Sequence, residues 1–316
     1  MAAREHVRIG AHLNGGVNKA TDHADRIGLS GGPIQLFARN PSGWRTPNHK
    51  DRAVSKFRAS CEERELGPAY IHGIYLMNFA SLDERIYQNS LTALTDEFRI
   101  AARLGVSGIV IHPGAAKGQS VPEALDRAAG ALRHCLDATA DDAGEVELLL
   151  ETCAGQGTTL GRTFEELAGL LERLDHDPRV AICLDTCHMH AAGYSLTPRA
   201  QQSAAAPEVA DAPPAGKSRN KVVRQTGSLE ETVEVCDRTV GLSRLRLVHA
   251  NDSKVPFGTN RDRHENIGHG SIGEADFAAV LAHPALRSLP FVLEVPGFDK
   301  KGPDAPNLDA LRRLAG

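Results

Sequence analysis

Residues 146–188 read VELLLETCAGQGTTLGRTFEELAGLLERLDHDPRVAICLDTCH, and this stretch decides the fold class. Two short apolar runs, VELLLETC (146–153) and VAICLDTCH (180–188), flank a segment at 163–174 whose apolar residues recur at helical spacing. Their central residues are chiefly Leu and Ile with little alternation, the pattern of strands buried on both faces, as a parallel sheet requires. The segment between them opens with Thr163-Phe-Glu-Glu166, a capping-box signature of a helix N-terminus. Strand, helix, strand makes one βαβ unit.

The same unit repeats outward in both directions. Strand-like runs recur at VRIGAHL (7–13), PIQLFARN (33–40), PAYIHG (68–73), GIVIHPG (108–114), LRLVHAND (245–252) and PFVLEVPG (290–297), eight in all with the first two. Helical patterns separate them, among them 83–104, stopped by Leu104-Gly105, and 121–140. Eight strand–helix repeats predict an α/β fold, a (β/α)8 TIM barrel, forming a single domain over 1–316. One interval is too long: 198–227, rich in Ala, Pro, Gln and Ser, is expected to be a disordered insertion in a loop, with helical pattern resuming near Ser228. Its basic residues Lys217, Arg219, Lys221 and Arg224 admit a second reading as a basic arm, but composition favours a solvated insert.

Of the 316 residues 41% are hydrophobic and 24% charged, which excludes a disordered chain. No apolar run approaches the ~20 residues that cross a bilayer. MAAREHVRIGAH lacks the basic-then-apolar pattern of a secretory signal, so a cytoplasmic location with reduced cysteines is expected. The 36 basic and 40 acidic residues give a formal charge of −4. That argues against a surface coated with basic charge and leaves room for a local positive site supplied by metal.

In such a barrel the chemistry sits at the C-terminal ends of the strands. There the third to eighth runs carry His72, His112, Glu151, Asp185 with His188, His249 and Glu294, and the loop after the seventh adds Asp262 and His264. A lone buried histidine is more often hydrogen-bonded core, and a lone buried carboxylate often pairs with arginine. Nine together are different. Four carboxylates converging on one mouth repel unless protonated or offset by cations, and five histidines beside them favour zinc, iron or manganese over Mg²⁺ or Ca²⁺. Nine donors exceed what one ion takes; three ions fit, or fewer with some residues supporting from behind, and residue type alone does not group them. Cys153, Cys183 and Cys187 flank these positions and read as small buried thiols rather than ligands. Gly155-Gln-Gly157 offers backbone N–H groups to a phosphate, a weak signal alone.

At these residues the sequence resembles the endonuclease IV family, the zinc-dependent apurinic/apyrimidinic (AP) endonucleases. The likeness runs from Arg8-Ile-Gly-Ala-His12 to Leu293-Glu-Val-Pro296. It is carried by His112-Pro-Gly114, Leu150-Glu-Thr-Cys-Ala-Gly-Gln-Gly157, Cys183-Leu-Asp-Thr-Cys-His188, His249-Ala-Asn-Asp-Ser-Lys254 and Asp262-Arg-His264 leading into Asn266-Ile-Gly268. The resemblance implies three Zn²⁺ per chain: one on His72, His112 and Glu151, a second on Glu151 as bridge with Asp185, His249 and Glu294, and a third on His188, Asp262 and His264. It implies a monomer that cuts double-stranded DNA on the 5′ side of an abasic site, leaving a 3′-hydroxyl, with 3′-end trimming as a further activity. Glu151 is then the catalytic carboxylate, and Tyr75, Asn40 and Trp44 touch the DNA, Tyr75 in the minor groove. Ser42 and Gly43 stand where the family has Arg or Gln, which blunts the wedge into the duplex.

The physics of such a centre suits an anionic substrate. A hydroxide shared by two zinc ions is a strong nucleophile near neutral pH, and a third ion stabilises the departing oxygen. The chain's −4 becomes about +2 with three zincs, so the mouth turns electropositive only when metallated. The main rival is a metal-dependent sugar isomerase or epimerase on the same barrel; the set His188, Asp262 and His264 discriminates, since a proton shuttle has no use for an extra ion. A non-catalytic nucleic-acid-binding or metal-storage protein has no need of three open metal positions.

Overall fold

A computed structural model describes residues 6–202 and 222–316. Its strands are β1 (Arg8–Leu13), β2 (Gly32–Leu36), β3 (Leu66–His72), β4 (Gly108–Ile111), β5 (Glu147–Glu151), β6 (Val180–Asp185), β7 (Leu245–His249), the short pair β8 (Asp252–Ser253) and β9 (His264–Glu265), and β10 (Pro290–Leu293). Eight close into a parallel barrel in the order β1-β10-β7-β6-β5-β4-β3-β2, and β8 and β9 form an antiparallel ribbon outside it. All eight expected strands are present, joined by helices that include Glu84–Leu104, Val121–Ala138, Phe164–Arg173 and Leu229–Thr239.

Alternation along the strands explains where the site lies. Successive side chains in a strand point to opposite faces. Tyr70, Val110, Leu149, Cys183, Leu247 and Val292 fill the barrel interior as a separate apolar cluster. Two residues further along the same strands stand His72, His112, Glu151, Asp185, His249 and Glu294, the next inward layer and the one that opens to solvent. The opposite faces pack on the surrounding helices in one large core that includes Ile71, Ile109, Leu148, Leu150, Ile182 and Val248, each no more than 1% exposed.

Two local expectations change in detail. Thr163 caps its helix as expected, accepting from the Glu166 backbone N–H, but the Glu166 carboxylate reaches back to the N–H groups of Gly161 and Arg162, not to Thr163. The box is therefore open, and the carboxylate pins the preceding loop instead. Both described flanks of the expected insertion, 198–227, carry structure. Residues 199–202 are helical. Thr226 is buried and bonded to Thr232 and the Ser195 N–H, while the Val223 N–H donates to Gly258. Composition could not show this, because the returning chain is anchored largely through backbone hydrogen bonds, from Val223 to Gly258 and from Gln225 and Thr226 to Gly193, together with buried Thr226. Residues 203–221, with Lys217, Arg219 and Lys221, lie outside the described residues. Arg224 stacks over the Phe257 ring at 5.2 Å.

Candidate metal centre

At the C-terminal mouth the nine sequence-selected residues converge. His72, His112 and Glu151 bring donor atoms within 4.8 Å of one another; so do Glu151, Asp185, His249 and Glu294; so do His188, Asp262 and His264. Glu151 is fully buried and belongs to two of these sets. Its Oε2 lies 3.0 Å from His112 Nε2 and 3.4 Å from His72 Nε2, while Oε1 lies 3.0 Å from His249 Nδ1 and 3.3 Å from His188 Nδ1. Sheet register puts Asp185 beside His249 and Glu151 beside Cys183.

The outer nitrogens of four histidines are committed to fixed partners, which sets what the inner ones can do. His72 Nδ1 lies 2.7 Å from the Gly73 carbonyl, His188 Nδ1 2.8 Å from the Thr152 carbonyl and His264 Nδ1 3.3 Å from the Glu294 carbonyl. A carbonyl only accepts, so each of these nitrogens carries a proton and leaves Nε2 with its lone pair directed inward. Those Nε2 atoms face Glu151 at 3.4 Å for His72 and Asp262 at 3.2 and 3.4 Å for His188 and His264. His249 is turned round. Its Nε2 lies 2.9 Å from Gln35 Oε1, while Nδ1 faces Glu151 and Glu294 at 3.0 and 3.2 Å.

Lone pairs facing carboxylate oxygens repel unless the imidazoles take a proton or a cation lies between. Burial opposes charge on His72, yet its bond to Glu151 and the charges of Glu294 and Glu151 raise it to about 9. Burial is likewise outweighed at His188, by Asp185 and Asp262, and at His249, by Glu294 and Glu151. The same partners hold Asp262 and Glu294 well below the usual carboxylate range against the cost of burial. Glu151 Oε2, His188 Nε2 and His264 Nε2 are buried without a hydrogen-bond partner among the described residues. Divalent ions on the first and third sets would satisfy these atoms, so the donor chemistry fits bound cations.

Supporting groups fix the carboxylates. Asp185 caps the helix Thr186–Ala192 through the His188 N–H at 2.8 Å and accepts from Asn251 Nδ2 at 2.7 Å; Asn251 Oδ1 in turn accepts the Glu294 N–H at 2.8 Å. Gln35 donates to Glu294 and to His12 Nδ1 (3.0 Å) while accepting from His249. Sequence reasoning missed Gln35 and Asn251; the signal for Gln35 was its inward position near the end of β2. His12 sits 3.3 Å from Glu294 and joins this support. Cys153, Cys183 and Cys187 are buried thiols as expected, with burial raising all three and Cys187 to about 12. Cys187 nevertheless comes within reach of Asp185 and His264.

The three residues expected to touch DNA separate. Tyr75 is 66% exposed on the rim, its ring 5.3 Å from Phe37 and 5.8 Å from His72. Asn40 is exposed but turned onto its own loop, its Oδ1 accepting the Ser42 N–H at 3.0 Å. Trp44 packs against the core. Arg39 anchors that loop from below, with Nε 3.1 Å from Glu97 and further bonds to the carbonyls of Ala93 and Trp44. Burial pushes the Glu97 carboxyl up to about 8 against the pull of Arg39.

A closed parallel barrel with a ring of ligands at its mouth defines the class described as "Xylose isomerase-like TIM barrel", whose sequence pattern matches residues 22–315. Within that class the chain belongs to the endonuclease IV family. It is 31% identical to the probable endonuclease 4 of Halothermothrix orenii over 97% of this chain and all of that protein. It superposes on endonuclease IV from Thermus thermophilus with a TM-score of 0.75 at 33% identity, covering 97% of this chain and 98% of the other. A D-tagatose 3-epimerase-like protein superposes at 0.65 with 16% identity over 97% and 95% of the two chains, which speaks to the fold alone. No helix among the described residues is long and apolar enough to cross a membrane.

Proposed function

We propose that this chain is a DNA-repair endonuclease that hydrolyses the phosphodiester 5′ to abasic sites in double-stranded DNA and leaves a 3′-hydroxyl. The observation that carries it is the third donor set, His188, Asp262 and His264, standing beside the two that share Glu151. Family membership supports the same reading, because the relatives bear the name of endonuclease 4. His72, His112 and Glu151 would hold one zinc, Glu151, Asp185, His249 and Glu294 a second, and the remaining set a third. When bound, such ions activate water near neutral pH, neutralise phosphate charge and stabilise a leaving oxygen.

The chain's own residues supply the rest. Imidazoles locked by Gly73, Thr152 and Glu294 carbonyls keep their inner nitrogens fixed, so little reorganisation accompanies binding. Glu151, held between four histidines, keeps its charge at neutral pH although it is wholly buried. Tyr75 is exposed at the rim, which supports a role in meeting the DNA beside the abasic site. A sugar epimerase on this barrel would leave the set of His188, Asp262 and His264 without a task.

The test is incision of a duplex containing one tetrahydrofuran abasic analogue, which cannot undergo β-elimination. A single cut 5′ to the analogue, a free 3′-hydroxyl, loss on chelation and recovery with zinc are expected. An intact duplex after incubation with fully metallated protein would overturn the proposal. A second expectation concerns Gln35. Gln35→Leu removes the acceptor that fixes the His249 tautomer and the donor on Glu294. Zinc affinity, read by competition with a chromogenic chelator, is expected to fall roughly 10–100-fold; unchanged affinity would assign Gln35 to packing only.

A further inference from the structure

The loop after β5 and the β8–β9 connection frame a second recess of about 570 Å³, outside the metal-ligand cavity. Its wall carries Arg162, Arg261 and Arg263 and, among the described residues, no carboxylate. Its floor is Gly155-Gln-Gly157, with both glycines in the left-handed region at φ 78° and 68°. A loop of that form turns successive N–H groups to one side and makes an anion-binding concavity. Glycine is required at 155 for a second reason: a Cβ there would run into the Arg162 side chain and come within 3.0 Å of Asn260 Oδ1. Among the described residues, Arg162 Nε and Asn260 Oδ1 are both buried and have no hydrogen-bond partner. Gln156 ties the two loops together, its Oε1 accepting from the Asp262 N–H at 3.3 Å and Arg263 Nη1 at 3.4 Å. The recess is therefore one residue away from Asp262, whose carboxylate faces His188 and His264 on the other side.

We propose that this recess is a phosphate subsite and that, resting on the DNA-cleavage reading above, it takes a backbone phosphodiester of the bound duplex other than the one that is cut. Three guanidinium groups without an anion in the wall repel one another, and a phosphate relieves that repulsion while matching the planar fork of arginine. A free phosphate monoester has the same chemistry, so the experiment separates the two sources.

Affinity of the zinc-loaded full-length protein for undamaged duplex is measured against salt concentration, alongside KM for the abasic duplex. Arg162→Gln with Arg261→Gln is expected to lower duplex affinity about 10-fold, reduce the slope of log K against log salt by about 1 and raise KM for the abasic duplex. Arg261→Gln alone, at an exposed position, is expected to move the same quantities in the same direction and guards against a folding defect at Arg162. An unchanged slope in both variants, with phosphate binding in the arm below absent or unaffected by the substitutions, would overturn the subsite. In a parallel arm, inorganic phosphate is titrated into the protein without DNA. Phosphate binding lost in the double variant, with no change in the duplex slope, would overturn the DNA assignment and leave a free-phosphate site. If the unsubstituted protein fails to cut the abasic duplex, the parent reading falls while the phosphate arm still decides the subsite.

Discussion

Glu151→Gln is expected to leave a folded protein that cleaves abasic DNA at least about 10³-fold more slowly, on the order of 4 kcal/mol of lost transition-state stabilisation. Among the nine residues at the mouth only Glu151 belongs to both of the donor sets that meet at the barrel axis, with each oxygen committed to a different pair of histidines. Glutamine keeps the shape but offers one neutral oxygen and an NH₂ group, which cannot serve both sides. The NH₂ group would instead donate to whichever imidazole it meets and turn that nitrogen away from a ligand role. Single-turnover incision at saturating enzyme isolates the chemical step, and zinc counted per chain shows whether a site has been lost as well. Cleavage within about 10-fold of the unsubstituted protein would remove Glu151 from the centre of the mechanism.

The parts of this molecule that were legible in sequence are those that a one-dimensional pattern can carry. Strands buried on both faces leave unbroken apolar runs, and ligand-type residues at the ends of those runs stand out because apolar residues precede them. Grouping the nine donors was not legible from residue type. It depends on which strands are neighbours and on the barrel closing so that β10 meets β1 and β7. Gln35 escaped because one glutamine within PIQLF looks like a tolerated polar residue until alternation places it inside the barrel, bonded to His249 and Glu294. The Arg39–Glu97 pair escaped for a different reason: its partners are 58 positions apart and meet only when the β2 loop lies on the helix Glu84–Leu104. Composition could not show that 222–227 pack onto the barrel, because it cannot weigh backbone bonds such as those of Val223 and Gln225 or the burial of Thr226.

Stripping the cations is expected to give this protein a pH dependence of stability opposite in sense to that of cation binding. In the metal-free state His72 is raised to about 9, the bond to Glu151 and nearby carboxylate charge outweighing burial, and His188 and His249 shift in the same direction. A base raised above its unfolded value near 6.5 contributes stability that is complete below about pH 6.5 and lost as pH climbs through about 9. For His72 alone the effect is on the order of 3 kcal/mol, several degrees in Tm for a domain of this size. Cation binding runs the other way, because these imidazoles must shed their protons to become ligands, so affinity grows across the same window. The gap in Tm between zinc-loaded and chelated protein should therefore widen between pH 6.5 and 9 as the chelated form weakens. Thermal unfolding with stoichiometric zinc and with excess chelator, at several pH values, measures it directly. Parallel curves would mean that the histidines serve only as ion-pair partners for the carboxylates. In a ligand set the proton and the cation compete for the same inner nitrogens, and that competition alone makes the curves diverge.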